Sequence, residues 1–410
     1  MNIENQLKKL YAFEMTICFR IADAVWVLFL LQRGFSLAQA GLAEGIFHIT
    51  SLIFEVPSGM AADLFGRRRT LMTAGILGML SAAGMCLKGG FWLVCVGMSL
   101  SAISCNMISG TEEAMVYDSL AECGQAERFG RVWAKLSIIG RCGSAVSCLI
   151  SPVAMALGYR GTYLVSGGLY LLSCFSAAAM AEPMVTELQK KRQEHPFQKM
   201  GIRLAEHVRI SAAFVAAHPR TMCKLLADAA IACPTYLTVM FLQEHLTARG
   251  WPAAWIGLPL LMMRLCGAAG VWLASRKSGR LQRSLLLCGI FGGVGACLAG
   301  SGWIPFILAG AGLVQICESI SEIRVSTSVN REFESDQRAT MASIGSMLYS
   351  LLMIAVSPAV GGVSDRFGTS AGFSVLGITL MAGTILCGSL LAAARRYRRQ
   401  RASGQDRARG

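Results

Sequence analysis

The chain has 410 residues, of which 54% are hydrophobic and 15% are charged, and its mean hydropathy is +0.52. A soluble domain carries about 25% charged residues, so the composition excludes a soluble protein and the length excludes a lone membrane anchor. The net charge of +14 could suit nucleic acid. The basic residues lie between apolar segments rather than on one folded surface, however, and we expect no nucleic-acid partner.

Long apolar segments recur from one end of the chain to the other. A helix that crosses the bilayer core needs about 20 mostly apolar residues, and the segments lack the alternation of a membrane β-barrel. The sequence therefore predicts an all-α integral membrane protein with twelve transmembrane helices. The predicted spans are 11–31, 39–60, 71–88, 91–117, 132–156, 160–181, 222–244, 253–274, 284–300, 303–325, 340–362 and 371–394.

The first two spans carry polar residues at helical spacing. Arg20 and Asp23 would share one face of a helix and could neutralise each other; alternatively, Asp23 is a cavity residue that contacts substrate or a proton. In the second span Glu44, His48, Ser51 and Glu55 form one stripe. His48 could titrate near physiological pH, or it could act as a neutral hydrogen-bond partner between helices.

The second span ends in a charged segment, Glu55–Thr70, which reads EVPSGMAADLFGRRRT. A run of positive charge against the end of a membrane helix fixes the side of the bilayer on which that end lies. Charge anchoring at the interface is therefore the simplest role for the segment. Its notable residues are Gly59, Asp63, Gly66, Arg67, Arg68 and Arg69.

The fourth span carries a set of residues on one side of a continuous helix: Asn106, Gly110, Glu113 and Tyr117. Glu112 would point elsewhere. An acid at that depth costs roughly 2.5–3.5 kcal/mol unless it faces protein or water. Glu113 is accordingly our first candidate for a proton-coupling carboxylate. The alternative is a structural ion pair between Glu113 and Arg141 of the next span.

One connection, 182–221, is long and polar, and it divides the spans into six and six. We therefore predict an N-terminal six-helix bundle over 1–181 and a cytoplasmic linker over 182–221. A C-terminal six-helix bundle follows over 222–394, with a basic cytoplasmic tail over 395–410.

The second half offers fewer charged residues within its spans. Asp228 lies in the seventh span, one turn from Lys224, which could neutralise it. Arg264 of the eighth span is the deepest cation of this half. It could hold an anionic group of the substrate or pair with Glu318 of the tenth span, and the sequence leaves both roles open.

The basic residues are distributed unequally between the two sides of the predicted layout. With the N-terminus inside, the inward loops and tails hold 29 of the 38 Lys and Arg residues and the outward loops hold 5. Such an excess marks the cytoplasmic side. We therefore expect both termini to be cytoplasmic.

The two halves resemble each other weakly. The Ser-Pro pairs at 151–152 and 357–358 are 206 residues apart, and Arg160 and Arg366 align at the same offset. Six spans repeated in the same orientation predict two pseudo-symmetric six-helix bundles related by an axis along the membrane normal.

Two further strings look like the segment after the second span. Gly279-Arg280, after the eighth span, is a degenerate counterpart of Gly66-Arg67. A third string, Gly362–Gly368, contains Asp365 but follows the eleventh span on the outward side, so we do not expect it to share the role.

The pattern G-x-x-x-D-x-x-G-R-R over Gly59–Arg68 resembles the loop between the second and third helices of the major facilitator superfamily. Gly110–Leu120 is similar to helix 4, and Ser335–Ser343 to the entry of helix 11, of bacterial members related to drug exporters. Such exporters often carry an arginine where this chain has Asn106. This difference weakens an arginine-based scheme of proton coupling.

The resemblance implies the fold of that superfamily, two six-helix bundles, and a role for the charged segment. Asp63 would face the N-terminal end of helix 11, where the helix dipole favours an anion. Arg67 would pair with Asp118 at the inner end of helix 4. Together they would form a latch that closes the cytoplasmic side in the outward-open state.

The function predicted from sequence is secondary active transport of a small molecule across a bacterial inner membrane, by a multi-pass monomer embedded in the lipid bilayer. The chain has no G-x-x-x-x-G-K-[ST] loop for ATP, so protons are the expected energy source. Its 15 cysteines form no C-x-x-C pair, and we expect no metal or other cofactor.

Within that class, proton-coupled export of drugs or metabolites is our first interpretation. Proton-coupled uptake of a sugar or organic anion is the alternative, and a transport-dead membrane sensor or scaffold is more remote. The chain contains no H-E-x-x-H string, and we do not expect an enzyme.

Overall fold

The structure is a computed structural model. It describes residues 2–183, 209, 213–276, 280–333 and 335–407. The side chains of 335–339 and 390–407 are not described. Most of the predicted linker, Gly279 and the side chains of the basic tail therefore lie outside the described residues. All regular structure within those ranges is helical.

Eight helices of the first half have complete bounds. They are α1 (Ile3–Ile17), α2 (Trp26–Gln32), α3 (Leu37–Phe65), α4 (Arg67–Cys86), α5 (Phe91–Ile108), α6 (Thr111–Glu122), α7 (Phe129–Leu149) and α8 (Ser151–Ala179). Those of the second half are α9 (Pro219–Thr247), α10 (Gly257–Arg276), α11 (Leu281–Ala299), α12 (Ile304–Asn330), α13 (Ser335–Phe367) and α14 (Thr369–Arg407).

Local sequence explains where α3 begins. Ser36 Oγ accepts the Gln39 N–H at 3.2 Å, and Gln39 Oε1 accepts the Ser36 N–H at 2.9 Å. This reciprocal pair satisfies two N–H groups that a helix start leaves without partners. The long helix that follows carries the polar stripe predicted from sequence.

Ten described helical segments are long and apolar enough to cross a membrane, one of which, Phe91–Glu122, joins α5 and α6. They match ten of the twelve predicted spans. The two exceptions are 11–31 and 132–156. The first is divided between α1 and α2, so neither part reaches the required length. The second corresponds to α7, which carries Lys135 and Arg141 within its length. A count of twelve transmembrane helices remains a prediction.

The chain divides into two compact units. Unit 1 comprises 1–207 and 251–261, and unit 2 comprises 208–250 and 262–410. In unit 1, α1, α6 and α7 pack around a fully buried cluster that includes Phe13, Met115 and Leu136. In unit 2, Ile231, Val325 and Leu380 belong to the corresponding cluster.

The start of α10 packs closely against the turn between α7 and α8 in unit 1. The Gly257 N–H donates to Ser151 Oγ at 3.1 Å, and that hydroxyl donates to Ala254 O at 2.8 Å. A Cβ atom on Gly257 would overlap with the Cys148 carbonyl. Glycine is therefore the residue that permits this backbone approach.

Candidate functional site

The turn between α3 and α4 is built around Gly66, which has φ of +93°. Glu182 lies against this turn: its Oε1 accepts the Arg67 N–H at 2.6 Å and its Oε2 accepts the Arg68 N–H at 2.8 Å. A carboxylate at the N-terminus of a helix satisfies unpaired N–H groups and favours the helix dipole. Glu182 therefore caps α4.

Residues of α1 hold the backbone beside this cap. Gln6 Nε2 donates to Ala181 O at 2.9 Å, and the Ala181 N–H donates to Gln6 Oε1 at 2.9 Å. Lys9 Nζ donates to Ala179 O at 2.5 Å. The end of α8 is thereby fixed where Glu182 can reach α4.

The Arg67 guanidinium is buried and lies beside two acids. Its Nε is 2.6 Å from Asp118 Oδ2, and its Nη1 is 3.6 Å from Asp63 Oδ1. The Asp63 side chain is 47% exposed, whereas that of Asp118 is 11% exposed. The three residues link α3, α4 and α6, and Asp118 is the partner that the family resemblance implies.

The polar stripe of α3 meets α5 inside unit 1. Glu44, His48 and Ser51 are all buried, and His48 Nε2 is 3.4 Å from Glu44 Oε1. Ser51 Oγ donates to Asn106 Oδ1 at 2.8 Å, and Asn106 Nδ2 donates to Ser51 O at 2.7 Å. Asn106 is therefore a structural link between the two helices.

Arg20 and Asp23 do not lie on one continuous helix, which corrects the sequence prediction. They fall in the break between α1 and α2, where Ile21–Ala24 forms a single 3-10 turn. Arg20 Nη2 donates to Cys105 Sγ at 3.5 Å and its Nε donates to Ile17 O at 3.4 Å. Asp23 nevertheless remains within electrostatic range of Arg20.

The fourth predicted span also breaks, at Gly110, where φ is +76°. Helical spacing therefore does not continue from Asn106 to Glu113. Glu113 is exposed and Glu112 is buried, the reverse of the side-chain placement predicted from sequence. Arg141 is also exposed, and it forms no ion pair with Glu113 in the described part of the chain.

In unit 2 the predicted charged residues have different partners. Asp228 Oδ1 accepts a hydrogen bond from Ser321 Oγ at 2.6 Å, whereas Lys224 contacts Glu332 and donates to Ser328 Oγ at 3.0 Å. The predicted neutralisation of Asp228 by Lys224 is therefore replaced by a hydroxyl contact.

Arg264 and Glu318 have different surroundings in unit 2. Glu318 Oε2 accepts from Gln315 Nε2 at 2.8 Å and from Ser319 Oγ at 3.2 Å. Arg264 is exposed and makes no ion pair with Glu318 among the residues described.

Three buried or capping groups were not predicted from the sequence to be site residues. Glu182 lies outside the apolar segments, so their periodicity gives no signal for it. Glu14 is buried on α1, where its Oε1 accepts from Cys18 Sγ at 3.0 Å. His245, fully buried at the end of α9, lies 2.6 Å from Thr369 Oγ1 through Nδ1 and 3.1 Å from Ser301 O through Nε2.

No group of three or more His, Cys, Asp or Glu side chains in the described ranges is arranged to hold a metal ion.

Comparison with known proteins places this architecture among transporters. The sequence model of the Major Facilitator Superfamily matches residues 12–351. A relative from Bacillus subtilis (strain 168), described as the uncharacterized MFS-type transporter YxaM, is 22% identical over 371 residues, which cover 89% of this chain and 90% of the relative.

Solved structures share the fold at low identity. The nucleoside transporter NupG superposes with a TM-score of 0.74 at 11% identity, over 96% of this chain and 99% of that one. A POT family transporter in complex with 5-aminolevulinic acid gives a TM-score of 0.73 at 12% identity, over 94% and 98% of the two chains.

Proposed function

This chain belongs to the major facilitator superfamily, and we propose that it exports small drugs or metabolites across the bacterial inner membrane in exchange for protons. Membership makes it a secondary transporter embedded in the membrane as a multi-pass protein. Alternating access, with the proton gradient as the energy source, is the mechanism proposed here.

The observation that carries the proposal is the ion pair between Arg67 and Asp118. Both residues are buried, and removing one member of a buried pair leaves an uncompensated charge. A contact of that kind holds one arrangement of helices until something displaces it. We propose that Asp63, Arg67 and Asp118 form a cytoplasmic latch, with Gly66 and Arg68 in its turn and Gly59 earlier in α3.

Acidic residues within the helices support proton coupling. Glu44 and Asp228 lie in helices long enough to cross the membrane, and Glu112 lies in the membrane-length segment Phe91–Glu122, which joins α5 and α6. An ionised side chain within such a segment is costly. Protonation removes that cost. In their ionised form the same acids would neutralise a cationic drug. We therefore rank amphipathic cations first among the candidate substrates for export.

Uptake of a small anion is the second candidate, and Arg264 is the observation that favours it. This cation is exposed within α10 and has no acidic partner among the described residues. The neighbours of known structure are described as nucleoside and peptide transporters. Their identities of 11–14% limit the inference to the shared fold.

The test is transport by purified protein in liposomes with an imposed pH gradient, using ethidium as a cationic probe and radiolabelled sugars and organic anions as the alternatives. We expect gradient-dependent flux of ethidium by the native chain. Asp63→Asn should abolish that flux and leave expression and thermal stability intact.

Asp365→Asn is the matched control, because Asp365 occupies the similar string after the eleventh span but not the proposed latch. It should transport at the native rate. Undiminished flux with Asp63→Asn would exclude the latch, and binding of a probe without any flux would indicate the sensor instead.

A further inference from the structure

The end of unit 2 at which α10 stops and α11 starts carries several positive charges. α10 ends at Arg276, and α11 begins directly after Arg280. Arg276, Arg280 and Arg283 are all exposed, and they form no ion pair within the described ranges. The sequence from Trp251 to Cys317 contains no acidic residue. This part of the chain therefore does not neutralise its own positive charge.

Three membrane-length segments have an end at this place. They are Ala253–Arg276, Leu281–Ala299 and Thr369–Ser389. Gln282 Nε2 donates to Gly388 O at 2.9 Å, which holds the last turn of the third segment beside the first turn of the second. The sequence after the third segment adds five arginines between 395 and 401. The positive charge thus collects where these helices leave the apolar part of the chain, at the surface of the membrane.

On α11 an exposed apolar stripe leads away from one of the arginines. Its members are Arg283, Leu287, Phe291 and Val294, all of them exposed. Their spacing of four, four and three residues puts them on one face of the helix. At a rise of 1.5 Å per residue the stripe is about 17 Å long. The hydrocarbon core of a bilayer is about 30 Å thick, so the stripe matches the depth of one leaflet.

α10 has the same arrangement in a shorter form. Leu265, Trp272 and Arg276 are exposed and share one face, at spacings of seven and four residues. The Arg276 Cζ atom lies 4.3 Å from the centroid of the Trp272 ring, within the range of a cation–π contact. Tryptophan concentrates at the level of the lipid headgroups. Trp272 therefore marks that level, and Arg276 lies one turn closer to the helix end.

Each part of this surface matches one part of an anionic phospholipid. Guanidinium groups bind phosphate through paired N–H donors, and the apolar stripes suit acyl chains. A zwitterionic headgroup carries its own positive charge beside the phosphate, so arginines without acidic partners favour a headgroup with net negative charge. A soluble polyanion would satisfy the arginines but would leave the apolar stripes without a partner. The combination of features therefore favours a lipid.

We propose that this end of unit 2 is a binding surface for anionic phospholipid. Arg276, Arg280 and Arg283 bind the phosphate groups, and acyl chains lie along the stripes that begin at Arg276 and Arg283. The bound lipid fixes the level at which α10 and α11 leave the bilayer. This inference is independent of the solute that the protein transports and of the proposed proton coupling.

Native mass spectrometry of the purified chain tests the proposal, with phosphatidylglycerol and phosphatidylcholine of identical acyl chains as the two probes. We expect the native chain to bind phosphatidylglycerol more tightly. In a variant that combines Arg280→Gln and Arg283→Gln, the affinity for phosphatidylglycerol should fall by about 25-fold, since each basic residue near an anionic surface contributes about fivefold. The affinity for phosphatidylcholine should not change.

Two further variants separate the surface from net charge and from folding. Arg366→Gln removes the same charge from an exposed position of unit 2 that is next to Asp365, and it should bind phosphatidylglycerol like the native chain. An equal loss of affinity in this variant would overturn the proposal, because net charge alone would then control binding. The combination of Arg280→Lys and Arg283→Lys keeps both charges and should keep the preference for phosphatidylglycerol. Binding as weak as in the glutamine variant would also overturn it.

Binding should also require the acyl chains. Glycerophosphoglycerol, which is the same headgroup without acyl chains, should not displace phosphatidylglycerol at equal concentration, and a short DNA duplex should not displace it either. Displacement by the first compound would replace the lipid with a soluble phosphate, and displacement by the second would replace it with nucleic acid. Equal affinity of the native chain for the two lipids would contradict the proposal directly.

The native chain provides a test that does not depend on the folding of any variant. Salt screens exposed charges, and the screening length falls from about 30 Å at 0.01 M to about 10 Å at 0.1 M ionic strength. The preference for phosphatidylglycerol over phosphatidylcholine should therefore decrease over this range. A preference that does not depend on salt would show that the arginines do not bind the headgroup, and the proposal would be wrong.

Discussion

The carboxylate of Glu182 occupies the space that a side chain at Gly66 would need. A Cβ atom on Gly66 would lie 2.8 Å from Glu182 Oε1. The same carboxylate accepts the N–H groups of Arg67 and Arg68. The glycine of the charged turn is thus required both by its backbone conformation and by the cap that lies against it.

Gly66→Ala should destabilise the protein, because an L-residue at φ of +93° is strained and its methyl group would displace Glu182. Strain of this kind costs roughly 1–3 kcal/mol. Thermal unfolding of the purified variant in detergent measures the effect.

Gly59→Ala is the matched control, since Gly59 lies inside α3 with no atom within 4 Å of an added Cβ. Alanine is favoured over glycine in a helix by about 0.5–1 kcal/mol, so this variant should be slightly stabilised. Equal destabilisation of both variants would contradict the structural distinction.

Glu182→Gln should weaken the cap without removing the side chain. The amide has one oxygen and can accept only one of the two N–H groups. It also loses the charge that interacts with the N-terminus of α4, which is worth about 0.3–1 kcal/mol. Glu182→Ala leaves two N–H groups unpaired and should cost about 1–3 kcal/mol. A midpoint of thermal unfolding that is the same for both variants would argue against the cap.

Asp118→Asn should be the most damaging conservative change in the latch. It leaves the buried Arg67 charge without its nearer partner, and loss of one member of a buried pair costs about 3–5 kcal/mol. Asp63→Asn should cost about 0–1 kcal/mol, because the Asp63 side chain is 47% exposed. Chemical unfolding of the two variants compares them directly, and a reversed order would show that Asp63 carries the stronger interaction.

Asn106→Ala should loosen the contact between α3 and α5. It removes both hydrogen bonds to Ser51, and we expect a loss of about 1–3 kcal/mol. Ser99→Ala is a control at the same interface, where a single hydroxyl contact with Thr50 is lost. Similar unfolding midpoints for the two variants would indicate that the buried Asn106 amide contributes no more to stability than the half-exposed Ser99 hydroxyl.

The sequence predicted best where a helix runs without interruption. Glu44, His48 and Ser51 share a buried face because α3 is continuous from Leu37 to Phe65, so a period of 3.6 residues locates them. The apolar segments likewise predicted ten of the described spans, because length and hydropathy depend on composition rather than on tertiary contacts.

Prediction failed where a helix is broken. The positive φ at Gly110 interrupts the helix, so helical spacing from Asn106 no longer gives the direction of the side chains that follow. For this reason the spacing predicted Glu113, rather than Glu112, as the buried acid. The break after Ile17 separates Arg20 and Asp23 in the same way. Glu182 could not be located either, since its role depends on a contact with Arg67, 115 positions away in sequence.

The close backbone contact at Gly257 predicts which missense variants the gene tolerates and which residue its relatives carry at this position. Every amino acid other than glycine carries a Cβ atom, and that atom would overlap with the Cys148 carbonyl. All missense codons at this position should therefore impair the gene product, whatever the polarity of the new residue. Aligned relatives that keep this backbone contact should show glycine there.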